Sequence, residues 1–221
     1  MKPIIMTRNI HLFIAFLFLS LTGISQEDAK AKAILDKASA KINALKTISI
    51  HFKVVITSPD GGDPITQSGT AHLSGDKYKI ELEDQDIYCN GTRIVTHLKE
   101  DKEAYIGTVE DAVEEGSMQP NQMLTIWETG HNYRYVKETT LDGKAVHQIH
   151  LYPKDPGTKK YHTIIIKIDK EKNQVLTVFI KNNDGTTVKY ILTKLVENPT
   201  LPDSMFEFDC AKHPEVDCIE E

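Results

Sequence analysis

The side chains in this 221-residue chain that could do chemistry are nine histidines, three cysteines and one acidic run, "ELEDQD" from Glu81 to Asp86. Each candidate weakens when its spacing is read. His147 and His150 lie three apart in a segment that alternates like a strand, so they point to opposite faces and cannot share a metal ion. The chain holds no Cys-x-x-Cys, His-Glu-x-x-His or EF-hand loop. A Gly-x-Ser-x-Gly elbow, a phosphate loop and a Gly-rich dinucleotide fingerprint are equally missing. The carboxylates of "ELEDQD" could be paired for hydrolysis, but strand alternation spreads them over two faces and reads better as a solvated strand end and turn. "NGT" at Asn90 matches a glycosylation sequon, and a tight Asn-Gly hairpin explains it as economically. The expectation is no enzyme, no metal and no cofactor. Cys210 and Cys218 are close enough to close a small loop as a possible disulfide, though Pro214 stiffens the segment between them. Cys89 lies in a strand-like run and reads as a buried thiol.

The elements that would position these side chains begin after a leader. Lys2 and Arg8 precede the apolar stretch "HLFIAFLFLSLTGIS", which is short for a membrane span, and Gly23 and Ser25 are small residues before Gln26. This is the pattern of a secretory signal peptide over residues 1–25, cut near Ser25-Gln26, which places residues 26–221 outside the cytoplasm as one domain. Losing Lys2 and Arg8 makes the formal charge of −6 more negative by two. An acidic chain with dispersed charge is a poor candidate for nucleic acid or anionic headgroups.

From Asp28 to Leu45, Ala31, Ile34, Leu35, Ala38, Ile42 and Leu45 recur at helical spacing and predict one amphipathic helix. From Thr47 the period becomes two. In "TISIHFKVVIT" the residues Ile48, Ile50, Phe52, Val54 and Ile56 face one way. The same alternation returns in eight further runs, separated by Asp60-Gly61, Asn90-Gly91, Asp142-Gly143 and Asp184-Gly185 turns. An antiparallel meander follows, as a sandwich or a barrel. So broad a one-sided apolar sheet must curl around something, and the available fillers are small for it. Between two strands lies "EDAVEEGSMQPNQMLTIWETG", Glu110 to Gly130, too long for a hairpin and carrying the only Trp. From its spacing alone it is either a core helix closing one end of a barrel or a lid.

The order of these segments resembles the periplasmic outer-membrane lipoprotein carrier (LolA) family. It runs from "INALKTISIHF" through "SGTAHLSGDKYKIEL", "IYCNGTRIVTHLKEDKEAYI" and "QPNQMLTIW" to "NNDGTTVKYILTKLVENPTLPDSMFEFD". The resemblance implies an incomplete, unclosed antiparallel β-barrel, with an N-terminal helix and a helical lid over its apolar concave face. It implies a monomeric periplasmic carrier that binds the acyl chains of lipoproteins. The implied partners are acylated lipoproteins, an inner-membrane lipoprotein-releasing ABC transporter and an outer-membrane acceptor. The alternative is a lipid-binding or lipoprotein-sensing envelope protein without a shuttle role. The cavity lining it suggests is Ile48, Ile50, Phe52, Val54, Tyr78, Ile80, Leu82, Ile164, Ile166 and Phe179, and the lid residues are Met118, Pro120, Met123, Leu124 and Trp127. Better-known members latch the lid with an Arg just before the "GDKYKIEL" region. That Arg is missing here, leaving Lys77 as a substitute or the lid held by packing.

Overall fold

The computed structural model describes residues 22–114 and 119–220, with side chains from Asp28 onward. Most of the expected leader and the lid residue Met118 lie outside these. The first described element, α1 (Thr22–Asn43), starts earlier than its apolar periodicity and runs through the expected cut at Ser25-Gln26. It buries Ala31, Ile34, Leu35 and Ala38, one stripe of its surface. Two of the four are alanines, which lets the helix axis approach the sheet closely.

The rest is strand. β1 (Thr47–Thr57), β2 (Ile65–Ser74), β3 (Lys77–Glu81), β4 (Gln85–Cys89), β5 (Arg93–Leu98) and β6 (Glu103–Thr108) meander antiparallel. After the inserted segment come β7 (His131–Leu141), β8 (Lys144–Pro153), β9 (Tyr161–Asp169), β10 (Val175–Asn182) and β11 (Thr187–Glu197), a second meander. β11 pairs with β1, which joins the two meanders into one twelve-stranded sheet. β7 and the last strand, β12 (Asp217–Glu220), are its two edges, so the sheet is open.

The four Gly-bearing turns are where the sequence puts them. Gly61, Gly91, Gly143 and Gly185 all have positive φ, and Asp142 joins Gly143 there, as a two-residue hairpin turn requires. Two strands escape the alternation reading. In β2 the positions on the concave side are Ile65, Gln67, Gly69, Ala71 and Leu73, too small and polar to stand out. Gly69 is small for a reason: a Cβ there would come within 2.8 Å of the Phe52 ring, which crosses over it from β1. β12 is the other surprise, because it runs parallel to β6. It follows a C-terminal segment that lays Phe208 against the convex side of the sheet beside Val95, Ala104 and Ile106, with the buried Phe206 in a turn packed on β3 and β4. Cys210 and Cys218 are disulfide-bonded and close this segment into a clip. Covering an edge strand this way removes a template for edge-to-edge aggregation.

Candidate functional site

Cross-strand partners share a face of the sheet, so the register sorts every strand residue into concave or convex. On the convex face the candidate carboxylates are engaged with cations rather than with each other. Glu81 accepts from Lys79 at 2.7 Å and lies 3.2 Å from His72, and the Lys79 hydrogen bond pulls its carboxyl below the usual range. Asp86 pairs with Lys99 at 2.9 Å. Asn90 caps its own turn, its Oδ1 accepting from the backbone N–H of Thr92 and Arg93. Among the described residues no three His, Cys, Asp or Glu side chains converge as a metal site.

The concave face is apolar along nearly its whole width, and it divides into two unlike halves. Over β7–β10 it carries Ile149, Leu151, Ile164, Ile166 and Ile168, all with 0% exposure. The α1 stripe, Ile126 and Trp127 pack directly on them. Over β1–β5 it carries Ile48, Ile50, Leu73, Tyr78 and Cys89 buried, with Phe52, Ile80, Ile87 and Ile94 only half-buried. Here the cover is thinner: Leu124 from the inserted segment, and Ile42 and Leu45 from the end of α1 and the turn after it. A cavity of about 320 Å³ opens at this junction, floored by Ile42, Leu45, Ile48, Leu73 and Leu124. Its rim is polar, with Asn43, Lys46, Asp76, Asn121 and Gln122.

The inserted segment forms two short helices, α2 (Val109–Glu114) and α3 (Pro120–Met123). Pro120 opens α3 at the position where a missing N–H costs nothing, and Gln119 and Gln122 close a capping box around it. Two polar ties of this segment run to α1. Trp127 Nε1 donates to Ser39 Oγ at 2.8 Å, and Asn43 donates to Glu128 at 3.4 Å. Toward the sheet, Asn121 Nδ2 donates to Asp76 Oδ1 over a long 3.4 Å contact, and Asp111 at the start of α2 donates its N–H to Thr108 Oγ1 of β6 at 3.1 Å. Lys77 is not the substitute latch that the missing Arg suggests, since its ammonium pairs with Asp203 of the C-terminal segment at 3.1 Å.

Where the segment returns to the sheet, Gly130 sits at φ +71° and His131 is buried beneath it. His131 Nδ1 lies 2.7 Å from the Thr129 carbonyl, which can only accept, so Nδ1 carries the proton. Nε2, 2.8 Å away, then accepts from the Tyr161 hydroxyl. Burial lowers the His131 pKa and raises that of Tyr161, so both are neutral here, in one defined tautomer.

The structure therefore sorts the expected lining. Ile48, Ile50, Phe52, Tyr78 and Ile80 share the concave β1–β5 surface. Val54 continues it toward the open end of β1 and is half-buried. Leu82 stands just past β3, its side chain within reach of Gly69 and the Phe52 ring. Ile164 and Ile166 are also concave but belong to the dry half, packed beneath α1 and Trp127. Phe179 is a correction: it pairs with Ile165, on the convex face, while its neighbours Val178 and Ile180 point inward. A period-two count slips by one residue here because β10 breaks register between Val175 and Thr177, so Val175 and Val178, three apart, both point inward. Of the lid residues, Leu124 and Trp127 are buried, Pro120 and Met123 half-buried. Cys89 and Ile87 escape the sequence reading as lining, although Cys89 reads as buried. Their strand pairing to Tyr78 and Ile80 is what brings them in.

The family model for the outer membrane lipoprotein carrier protein LolA matches residues 43–209. Among solved structures the chain is similar in fold to an uncharacterized conserved protein from Thermus thermophilus, at TM-score 0.57 and 8% identity, covering 87% of this chain and 99% of that one. The lipoprotein LppX from Mycobacterium tuberculosis aligns at TM-score 0.48 and 16% identity, over 77% of this chain and 98% of its own. A LolA superfamily protein from Nitrosomonas europaea aligns at TM-score 0.41 and 9% identity, over 81% and 98%. No curated protein sequence is significantly similar to the chain.

Proposed function

The chain belongs to the outer membrane lipoprotein carrier protein LolA family, and from that premise we propose that it is an exported carrier of acyl chains. It takes up the acyl chains of lipoproteins on its concave face, carries them across the periplasm as a monomer, and surrenders them to an acceptor at the outer membrane. An inner-membrane ABC transporter is the proposed donor. The observation that carries this reading is the apolar concave surface over β1–β5, half-buried and bordered by a cavity under a thin cover. The aliphatic side of that cavity, Ile42, Leu45, Ile48, Leu73 and Leu124, suits an alkyl chain. Each methylene removed from water is worth about 0.8 kcal/mol, so a long acyl chain does not cross an aqueous space unaided.

Uptake needs no covalent step. Leu124 occupies the space an acyl chain would fill, so closing and binding compete, and the free energy of opening subtracts from the affinity for cargo. The decisive experiment mixes the purified protein with spheroplasts carrying a radiolabelled acylated lipoprotein. Soluble lipoprotein–carrier complex is expected. Binding of free fatty acid with no release of lipoprotein would instead leave a lipid-binding envelope protein, and binding of neither would refute the carrier reading.

A further inference from the structure

We propose that the concave face is loaded on one side only: cargo alkyl chains enter the β1–β5 half, gated by Leu124, while the β7–β10 half stays closed around Trp127. This rests on the acyl-carrier reading and specifies which surface the ligand uses. It also divides the inserted segment into two working parts, a gate and an anchor.

Three observations lead there. The first is the contrast in packing. Five large aliphatic side chains of the β7–β10 half have no exposed surface, and two α1 alanines at 0% exposure belong to the same cluster. A ligand entering this half would have to displace the buried stripe of α1 together with Ile126 and Trp127. Burying an Ile or Leu is worth about 1.5–3 kcal/mol each, so displacing Ile34, Leu35, Ile126 and Trp127 costs several times what displacing Leu124 alone does. In the β1–β5 half, by contrast, Phe52, Ile80, Ile87 and Ile94 are already incompletely covered, and the cover to be displaced is chiefly Leu124.

The second observation is where the polar ties run. Trp127 hydrogen-bonds Ser39 of α1, and Glu128 accepts from Asn43 of α1. His131, beneath the same end, holds the Thr129 carbonyl. The back of the segment is thus tied to α1 and to the start of β7. Its front, α3 and Leu124, meets the sheet through the 3.4 Å Asn121–Asp76 contact and through apolar burial. Separating apolar surface from an alkyl-lined floor is offset by the alkyl chain that replaces it, whereas an alkyl chain offers nothing to replace the Trp127–Ser39 bond.

The third observation is the character of the cavities beside each part. The cavity at Leu124 has an apolar floor and a polar rim. The cavity beside Trp127, about 340 Å³, sets Leu35, Trp127 and Tyr133 among Lys32, Asp36, Ser39 and Glu128, and an alkyl chain there would leave three charged groups unsolvated. The polar rim of the first cavity is placed to meet the ester or amide at the head of the acyl chain.

The test reads a single Trp in each of two proteins. A long-chain fatty acid brominated near mid-chain is titrated into the wild-type protein, and into a double variant, Trp127→Phe with Phe52→Trp. A palmitoylated peptide bearing the same bromination provides the second arm and separates free lipid from acylated polypeptide as cargo. The expected result is strong quenching in the double variant only, where the indole stands in the β1–β5 half. The wild-type Trp127 emission should keep both its intensity and its blue wavelength at saturation. Uptake by the wild type is measured in parallel with radiolabelled ligand, so a misfolded double variant does not decide the matter. Quenching and a red shift of Trp127 at saturating ligand would overturn the one-sided arrangement while leaving the carrier reading intact. No uptake of either probe by the wild type would overturn both.

Discussion

Leu124→Ala should weaken the fold and strengthen cargo binding at the same time, and the pairing of those signs is the informative part. Leu124 is 8% exposed and packs among Ile48, Ile50, Leu73 and Tyr78. Truncating a buried Leu to Ala removes about 2 kcal/mol or more of burial from the closed state. With the gate lifted, that side chain no longer touches the floor, so the open state loses nothing. The closed-to-open equilibrium therefore moves toward open by about 2 kcal/mol, and apparent affinity for cargo rises by roughly thirtyfold if the gate is mostly closed beforehand. The gain has a ceiling, because once the gate stands open the intrinsic affinity is reached. The loss of global stability has the same ceiling, since unfolding then starts from the open state. The assay is isothermal titration of a long-chain fatty acid into both proteins, with urea unfolding alongside. Unchanged or weaker binding by the variant would refute the reasoning, because it would mean that Leu124 packs on cargo or never leaves its seat.

The remaining predictions separate anchor, wall and clip. Ser39→Ala leaves the buried Trp127 N–H without its acceptor and should cost about 1–3 kcal/mol in urea unfolding, with fatty-acid affinity unchanged; tighter binding would make Trp127 part of the gate. Ile166→Ala should cost about 2–5 kcal/mol of stability, again with no change in fatty-acid affinity by titration. Cys210→Ser opens a loop of sequence separation 8 and should cost at most about 2–3 kcal/mol, with faster amide hydrogen exchange in β6 and unchanged exchange in β9. Burial holds the pKa values of His131, His147 and His150 below their ordinary 6.5. The unfolded chain takes up protons first as pH falls through 6.5, so stability should be full above that value and decline below it until the native histidines titrate too. A melting temperature flat between pH 7.5 and 5 would contradict this.

Much of the sheet is legible in the sequence because its strands are long and one face is uniformly apolar. β1 shows its whole concave row in eleven residues, and Gly61, Gly91, Gly143 and Gly185 mark four of the hairpin turns. Legibility fails where a strand breaks register. β10 does so between Val175 and Thr177, so alternation counted from Val175 puts Phe179 on the wrong face. It fails again in β2, where Gly69 is small to admit the Phe52 ring, a constraint that only the neighbouring strand reveals. The site is harder still. Ile164 and Phe52 are indistinguishable as inward-facing apolar residues, and what separates them is which helix lies above. Ser39 and Asp76 are ordinary polar residues until Trp127 and Asn121 are seen to reach them.

A carrier must bind well enough to extract an acyl chain and loosely enough to release it. A chamber that could be emptied and filled across all of its strands would be hard to tune, since each added methylene brings about 0.8 kcal/mol. Keeping the β7–β10 half permanently packed fixes the fold's stability in one place, under α1, where cargo does not reach. The other half can then be held by a few apolar contacts without endangering the fold. The absent Arg fits that division. A charged latch between sheet and lid would add a fixed cost to every opening, whereas Leu124 is displaced by an alkyl chain of the same polarity. Restoring such a cation, by Asp76→Arg opposite Asn121, should therefore strengthen closure, weaken fatty-acid affinity and leave the Trp127 emission where it is. Tighter binding in that variant would place the polar rim, rather than the apolar floor, in control of the gate.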